Sequence, residues 1–175
     1  MSCIRYVIGV DPSGSFNEGK GTTGIAVYDI VDDAIIDIKV VCAADYDSLE
    51  AYLWGNWRAI GMLYVCYCDE GCVVSIEDFL VYATHAVSFT NSRMETCQLL
   101  GFLKAMMYNM DIKYYMRPAS TVKSRWANHI LAHNGYIKQV GTSCFHQAVD
   151  GPLATHMLDA IRHAVHCGLF EVNKE

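Results

Sequence analysis

IRYVIGVDPS, residues 4–13, is an apolar run that ends in an aspartate and a proline. Residues 4–10 are rich in β-branched side chains, which predicts a buried strand followed by a polar loop. After this Gly- and Ser-rich loop, TGIAVYD (23–29) and AIIDIKVV (34–41) have the same strand-like character. Three strands in succession with short connections predict an antiparallel meander.

The rest of the chain alternates helical and strand-like patterns. Asp47 or Ser48 is a candidate cap for a helix that runs to about residue 60. The fourth strand is either LYVCYC (63–68) or GCVVSIEDF (71–79). The remaining predicted elements are a helix over 91–109, a strand over 111–118 that Pro118 stops, and helices over 119–133 and 153–168. This order predicts one α/β domain over residues 1–175, with a mixed five-stranded sheet flanked by helices.

The composition indicates a globular protein. Of the 175 residues, 53% are apolar and 18% are charged. No apolar run approaches the roughly 18–20 residues that span a membrane, and the first residues lack the small-residue cleavage region of a signal peptide. We therefore expect a cytoplasmic protein without a membrane partner.

Eight cysteines allow two interpretations. Only Cys66, Cys68 and Cys72 cluster, and their C-x-C-x3-C spacing lacks the C-x2-C pairs that are usual in structural zinc sites. Zinc is the less favoured interpretation. Reduced and mostly buried thiols are the favoured one.

Charge is unevenly distributed along the chain. The formal net charge is −6, yet no Asp or Glu occurs between Ile112 and Val149. The basic residues of this stretch are Lys113, Arg117, Lys123, Arg125 and Lys138, together with His129, His133 and His146. A segregated basic segment is typical of a surface that binds phosphates. The alternative is a basic surface helix without a partner.

Three acidic residues stand where strands or a helix could bring them together. Asp11 follows the first strand, Glu77 lies at the end of the fourth, and Asp159 lies on the last helix, three residues after His156. Clustered carboxylates repel one another unless a cation lies between them, and Mg²⁺ prefers oxygen ligands. Each residue also has an ordinary explanation: a turn-forming aspartate, a solvated strand end with Asp78 beside it, or a polar stripe on a helix.

In their order and spacing, these stretches resemble the RuvC-type Holliday-junction resolvases, particularly their phage-encoded relatives, over most of the chain. The stretches that carry the resemblance are IGVDPS (8–13), TTGIAVYD (22–29), VVSIEDF (73–79), NSRMETCQLLGFLKAM (91–106), YMRPASTVKSRW (115–126) and THMLDAIRHAVH (155–166). The resemblance implies an RNase H-like fold and an endonuclease that resolves four-way or branched DNA.

The resemblance also implies roles for individual residues. Asp11, Glu77, His156 and Asp159 would form the metal-binding and catalytic set, holding two Mg²⁺ or Mn²⁺ ions. His156 would either complete a metal site or position the attacking water. Lys123 would lie near the scissile phosphate, and the products would carry a 5′-phosphate and a 3′-hydroxyl.

Two regions depart from the family pattern. The loop between Asp11 and Thr22 and the region from Asp78 to Asn91 are both longer than usual. Phe79 and Phe89, in or beside the second region, are candidates for stacking on bases, and core packing is the equal alternative. Arg117 and Arg125 are further candidates for contacts with DNA.

The long first loop also contains GSFNEGKGT (14–22), which is close to a P-loop. Gly21 stands where a P-loop has Ser or Thr, and a strand rather than a helix is predicted next, so we expect no nucleotide cofactor. A similar loop occurs in actin-like sugar kinases, which need two lobes. In the nuclease interpretation Lys20 contacts the DNA backbone. The alternative is a flexible loop without a role in binding.

A four-way junction is two-fold symmetric, which predicts a homodimer. The apolar helix 94–107 is the candidate interface, and burial in the monomer core is the alternative. Two other functions stay open at this point. One is a nuclease of the terminase type or a general RNase H-fold nuclease, and the other is a DNA-junction-binding module without catalytic activity.

Overall fold

The computed structural model describes residues 4–17, 19–78 and 95–172. Its central element is a five-stranded sheet with the strand order β3-β2-β1-β4-β5. The strands are β1 (Tyr6–Asp11), β2 (Thr22–Asp29), β3 (Ala34–Cys42), β4 (Cys72–Asp78) and β5 (Tyr114–Pro118). β1 to β3 form an antiparallel meander, and β4 and β5 extend the sheet in parallel to β1. The predicted mixed sheet is confirmed, and the boundaries of its first three strands differ from prediction by no more than two residues.

Within the described residues, five α-helices and two short 3₁₀ segments surround this sheet. The helices are α1 (Leu49–Tyr67), α2 (Glu95–Asn109), α3 (Ala119–Lys123), α4 (Asn128–His133) and α5 (Thr155–Phe170), and the 3₁₀ segments are Ala43–Asp45 and Cys68–Glu70. Ser48 caps α1, since its side chain accepts a hydrogen bond from the amide of Ala51. Because α1 continues to Tyr67, a strand over 63–68 is wrong, and the alternative fourth strand over 71–79 is present as β4.

The predicted helix over 119–133 is wrong in its middle. It is divided into α3 and α4, with Trp126 between them buried against Tyr136 and Phe170. The break lies at Ala127, whose φ of −59° and ψ of 155° are not helical, and the backbone oxygen of Trp126 accepts a hydrogen bond from Arg162 instead. The strands β6 (Lys138–Val140) and β7 (Ser143–Phe145) form a hairpin that the sequence did not predict.

Helix α5 covers one face of the sheet, and α1 and α2 cover the other. Val7 and Ala26 of the sheet pack with Ile161 of α5, whereas Ile8 packs with Ile60 of α1. α5 lies directly on the backbone of β1 and β2. A Cβ atom on Gly9 would lie 2.1 Å from the carbonyl oxygen of Ala160, and one on Gly24 would lie 2.1 Å from that of His156. These two glycines therefore fix the depth at which α5 sits beside the end of β1.

The predicted role of helix 94–107 as a dimer interface is not supported by the burial of its side chains. Leu99, Leu100, Leu103 and Met107 lie in the monomer core, which is the alternative stated above. Phe102 is partly buried and packs against that core. Met94 lies outside the described residues.

The structure also shows the state of the cysteines and the character of the helices. The seven cysteines of the described residues are free thiols, and Cys3 lies outside that part of the chain. Cys66, Cys68 and Cys72 are not among the metal-holding groups found within the described residues, so a zinc site there is not supported. None of the described helices is long and apolar enough to cross a membrane.

Candidate active site

Three carboxylates meet where the first and fourth strands end. β1 and β4 are adjacent and parallel, so Asp11 and Glu77 reach the same edge of the sheet, and α5 brings Asp159 to them. The nearest ligand atoms of the three side chains all lie within 4.8 Å of one another. Asp11 and Asp159 are only 5% and 2% exposed. Such a concentration of buried negative charge requires compensation by cations.

His156 is bonded to Asp11. Its Nδ1 atom lies 2.6 Å from Oδ2 of Asp11. Burial raises the pKa of Asp11, the hydrogen bond with His156 opposes this effect, and the negative charge of Glu77 adds to the rise. The same hydrogen bond raises the pKa of His156. His156 therefore stands beside the carboxylate cluster as a group that can hold a proton near neutral pH.

Lys123, the last residue of α3, points into the cluster. Its ammonium nitrogen lies 2.7 Å from Oδ2 of Asp159 and 3.8 Å from Oε2 of Glu77. Partial burial lowers the pKa of Lys123. The hydrogen bond to Asp159 and the nearby carboxylates raise this pKa by a larger amount, so the net shift is upward. With 43% of its side chain exposed, Lys123 is also open to a ligand that approaches from solvent.

Two residues of α5 that the sequence analysis did not single out complete the surroundings of the acids. Arg162 donates hydrogen bonds to Oδ1 of Asp159 and to the backbone oxygen of Trp126. Nε2 of His163 lies 3.3 Å from Oε2 of Glu77, and His163 is 1% exposed. A signal for His163 existed in the sequence, because residues 156, 159 and 163 recur on one face of a helix.

The predicted DNA-contacting residues are spread over a wider surface. Lys20 is exposed in the loop after β1. Nε of Arg117 lies 2.5 Å from Oε1 of Glu171, and the guanidinium of Arg125 lies 4.2 Å from the ring centre of Phe170. Phe79 and Phe89 lie outside the described residues.

The loop after Asp11 is held against the start of α2. The amide of Gly14 donates to Oγ1 of Thr96, at 3.1 Å, and the amide of Asn17 donates to the carboxylate of Glu95. The hydroxyl of Tyr52 donates to the carbonyl oxygen of Ser13. The loop leads into β2 at Thr22, so the strand predicted after the P-loop-like stretch is present and no helix begins there.

The donor set of the cluster suits a hard divalent cation. Three carboxylates offer only oxygen ligands, and Mg²⁺ or Mn²⁺ prefers oxygen ligands and retains several water molecules. The burial of Asp11 and Asp159 and the raised pKa of Asp11 are the properties of a site whose negative charge a bound cation would balance. Within the described residues, the converging ligand atoms belong to the carboxylates alone.

The strand order, with an antiparallel meander joined to parallel strands and helices on both faces, is that of the RNase H-like fold. Two solved structures of RuvC are similar to this chain in fold. RuvC from Thermus thermophilus in complex with a Holliday junction substrate superposes with a TM-score of 0.65 at 13% identity, over 94% of this chain and 93% of that one. Another structure of RuvC from this organism gives a TM-score of 0.59 at 16% identity, over 93% of each chain. No protein-family profile and no curated protein sequence matches the chain.

Proposed function

We propose that this chain is a metal-dependent endonuclease that resolves four-way or otherwise branched DNA by hydrolysing phosphodiester bonds. The observation that carries the proposal is the convergence of Asp11, Glu77 and Asp159 beside Lys123. Within the described residues these three carboxylates outnumber the two permanently charged cations that contact them, Lys123 and Arg162, so ion pairing alone does not balance their charge. A phosphodiesterase needs such a group, because it must hold divalent ions against a phosphate.

Asp11, Glu77 and Asp159 would hold Mg²⁺ or Mn²⁺, with two ions as the expected number. When bound, such ions lower the pKa of a coordinated water and offset the charge of the phosphate. The superposition with a RuvC–junction complex supports the choice of DNA as substrate through the fold alone.

The chain's own residues would supply the remaining work. Lys123 is half-exposed beside the acids, so its ammonium can contact a phosphate oxygen and offset the negative charge that grows in the transition state. The hydrogen bond between Nδ1 of His156 and Oδ2 of Asp11 fixes the imidazole ring. This bond leaves Nε2 to orient a water molecule and to accept its proton. The products would be a 5′-phosphate and a 3′-hydroxyl.

Contacts outside the cluster would hold the rest of the DNA. Arg125, Lys20 and Arg117 are the proposed contacts with the backbone, with Phe79 and Phe89 as candidates for base stacking. Arg125 has the strongest support, since its guanidinium rests on Phe170 and is exposed. Arg117 is already paired with Glu171, so we expect its contribution to be smaller.

A homodimer would match the two-fold symmetry of a four-way junction. Its support is a groove of about 930 Å³ along the outer side of α1, whose described lining residues are mostly apolar and include Arg58 but no acidic residue. Trp54, Met62 and Met110 in this groove are 54%, 59% and 62% exposed. We expect light scattering to give a dimer mass, and Met62→Glu to give a monomer that still folds.

The first test of the function uses a synthetic four-way junction and a linear duplex of matching sequence, each with Mg²⁺, Mn²⁺ or EDTA. Paired nicks on the junction alone, dependent on the metal, are the expected result. Equal cutting of both substrates would instead indicate a terminase-type or general nuclease. Tight junction binding without cutting in either metal would indicate a binding module and would remove the catalytic roles proposed above.

A further inference from the structure

Each carboxylate of the cluster has a neighbour on α5. His156 contacts Asp11 and His163 contacts Glu77, whereas Arg162 contacts Asp159 from its own helix, three residues further on. Lys123 is the one further cation that the described residues place against these acids, and it comes from α3. Arg162 differs from the other basic residues because it contacts both an acid of the cluster and residues outside the cluster.

The guanidinium of Arg162 makes three hydrogen bonds in three directions. Nη1 donates to Oδ1 of Asp159, Nε donates to the backbone oxygen of Trp126 at 2.8 Å, and Nη2 donates to Oδ1 of Asn128. Only 12% of its side chain is exposed. The rigid fork of a guanidinium can satisfy such a set of acceptors, and a lysine ammonium on the same stem cannot reproduce its geometry.

The two oxygens of Asp159 face different groups. Oδ1 is bonded to Arg162, whereas Oδ2 faces Lys123, whose ammonium also approaches Glu77. Oδ2 is therefore the oxygen on the side of the other acids. A carboxylate held by one oxygen presents the other in a fixed direction, which is how groups behind a ligand set its affinity for a metal.

We propose that Arg162 is a positioning residue for Asp159, and that it couples this carboxylate to the connection between α3 and α4. That connection carries Trp126, directly follows Lys123 and leads into Asn128, the first residue of α4, so the two cationic contacts of Asp159 are linked through one short segment. The inference rests on the metal-binding part of the proposed function. It does not depend on which DNA the protein cuts.

The opposite role for Arg162 is simple charge balance, and the two roles predict effects of opposite sign. If Arg162 only neutralises the acids, Arg162→Gln removes a positive charge near the site and strengthens Mn²⁺ binding. If it positions Asp159, the same substitution weakens binding, by about 10–100-fold as for other residues that support metal ligands. Arg162→Lys keeps the charge, so charge balance predicts no change and positioning predicts a partial loss.

The experiment is isothermal titration of the full chain with Mn²⁺, in the wild type, Arg162→Gln, Arg162→Lys and Asn128→Ala. Asn128→Ala removes one acceptor of Arg162 without touching an acid, and we expect a loss of a few-fold. Lys104→Gln is the matched control, because it removes a positive charge from an exposed position on α2. Junction binding measured in EDTA does not depend on the position of a metal ligand, so it should be unchanged in all four variants.

The outcomes separate this inference from the proposed function. Weaker Mn²⁺ binding in Arg162→Gln and Arg162→Lys supports positioning, even if the wild type proves to cut linear DNA. Unchanged or stronger binding in Arg162→Gln overturns it while leaving the nuclease proposal intact. If that variant does not fold, unchanged affinity in both Arg162→Lys and Asn128→Ala overturns it instead. A wild type that binds no Mn²⁺ overturns the metal site and this inference together.

Discussion

The two faces of the sheet are used for different purposes. Helix α5 buries Asp159, His163 and His166 together with its apolar residues. The buried residues of α1 and α2 carry no charge, and the only amide among them, Asn56, donates to the backbone oxygen of Tyr52. Ionisable groups that are costly to bury are thus concentrated on one face, where Asp159 joins the other acids and His163 contacts Glu77. The other face supplies a conventional apolar core, and its helices contact the loop after Asp11 only through Tyr52, Glu95 and Thr96 among the described hydrogen bonds.

The largest expected difference between the two faces is in catalysis. Asp159→Asn should reduce junction cleavage on the order of 1,000-fold, because a carboxylate that would bind the metal is lost. Ile60→Ala on the α1 face should cost about 2–5 kcal/mol of unfolding free energy and leave the cleavage rate per folded molecule unchanged. Single-turnover cleavage and urea denaturation measure the two effects. Loss of junction binding as well as cutting in Asp159→Asn would mean that the residue supports the fold.

A pair of glycine substitutions tests whether α5 depends on close contact with the sheet. Gly9→Ala would place a methyl group 2.1 Å from the carbonyl oxygen of Ala160, so α5 would have to move away from β1. We expect a loss of roughly 1–3 kcal/mol or more, with weaker metal binding because Asp159 moves with the helix. The matched substitution is Gly101→Ala on the exposed side of α2, where no atom of the described residues lies within 4 Å of the added carbon.

Gly101→Ala should stabilise the protein by about 0.5–1 kcal/mol, as measured by urea denaturation. Equal stability losses in the two glycine variants would show that α5 does not depend on close contact with the sheet.

The charge balance inside the site can be tested through Lys123. Its ammonium lies 2.7 Å from Asp159, so Lys123→Met should strengthen Mn²⁺ binding on the order of tenfold while it slows cleavage. Titration calorimetry and single-turnover rates measure this separation of binding from chemistry. Weaker metal binding in Lys123→Met would mean that the lysine holds the acids in place instead of competing with a cation for them.

The smallest expected effect lies at the end of β2 that is remote from the site. Burial raises the pKa of Asp29, but hydrogen bonds from Arg5 and from the amides of Asp32 and Val31 lower it by more, so the net shift is downward. A lowered pKa in the folded state contributes stability above the pKa of the unfolded chain, about 3.9, and this contribution is lost as the pH falls through the folded value.

Asp29→Asn should therefore lower the Tm at pH 7, and the difference from the wild type should shrink below about pH 4. Thermal unfolding over a pH series measures this change, and cleavage per folded molecule should stay the same. A difference in Tm that is constant with pH would mean that the ionisation of Asp29 is not what stabilises this end of the sheet.

The sequence alone was sufficient for the meander, for β4 as one of two alternatives, and for the edge of the sheet at which Asp11, Glu77 and Asp159 meet. These features depend on strand periodicity and on the rule that parallel neighbours end at the same edge, and both are local or topological properties. Lys123 was placed by resemblance, and the structure brings it to Asp159.

Only the tertiary structure decided the rest. The helix over 119–133 breaks at Ala127, and Trp126 before the break packs beside Tyr136, a contact between residues whose proximity no local pattern encodes. α2 is buried in the monomer for the same kind of reason. The hydrogen bonds of Arg162 to Trp126 and Asn128 join positions more than thirty residues apart. Periodicity predicts which face of an element is apolar, but the partner of a buried polar side chain is determined only when the elements pack together.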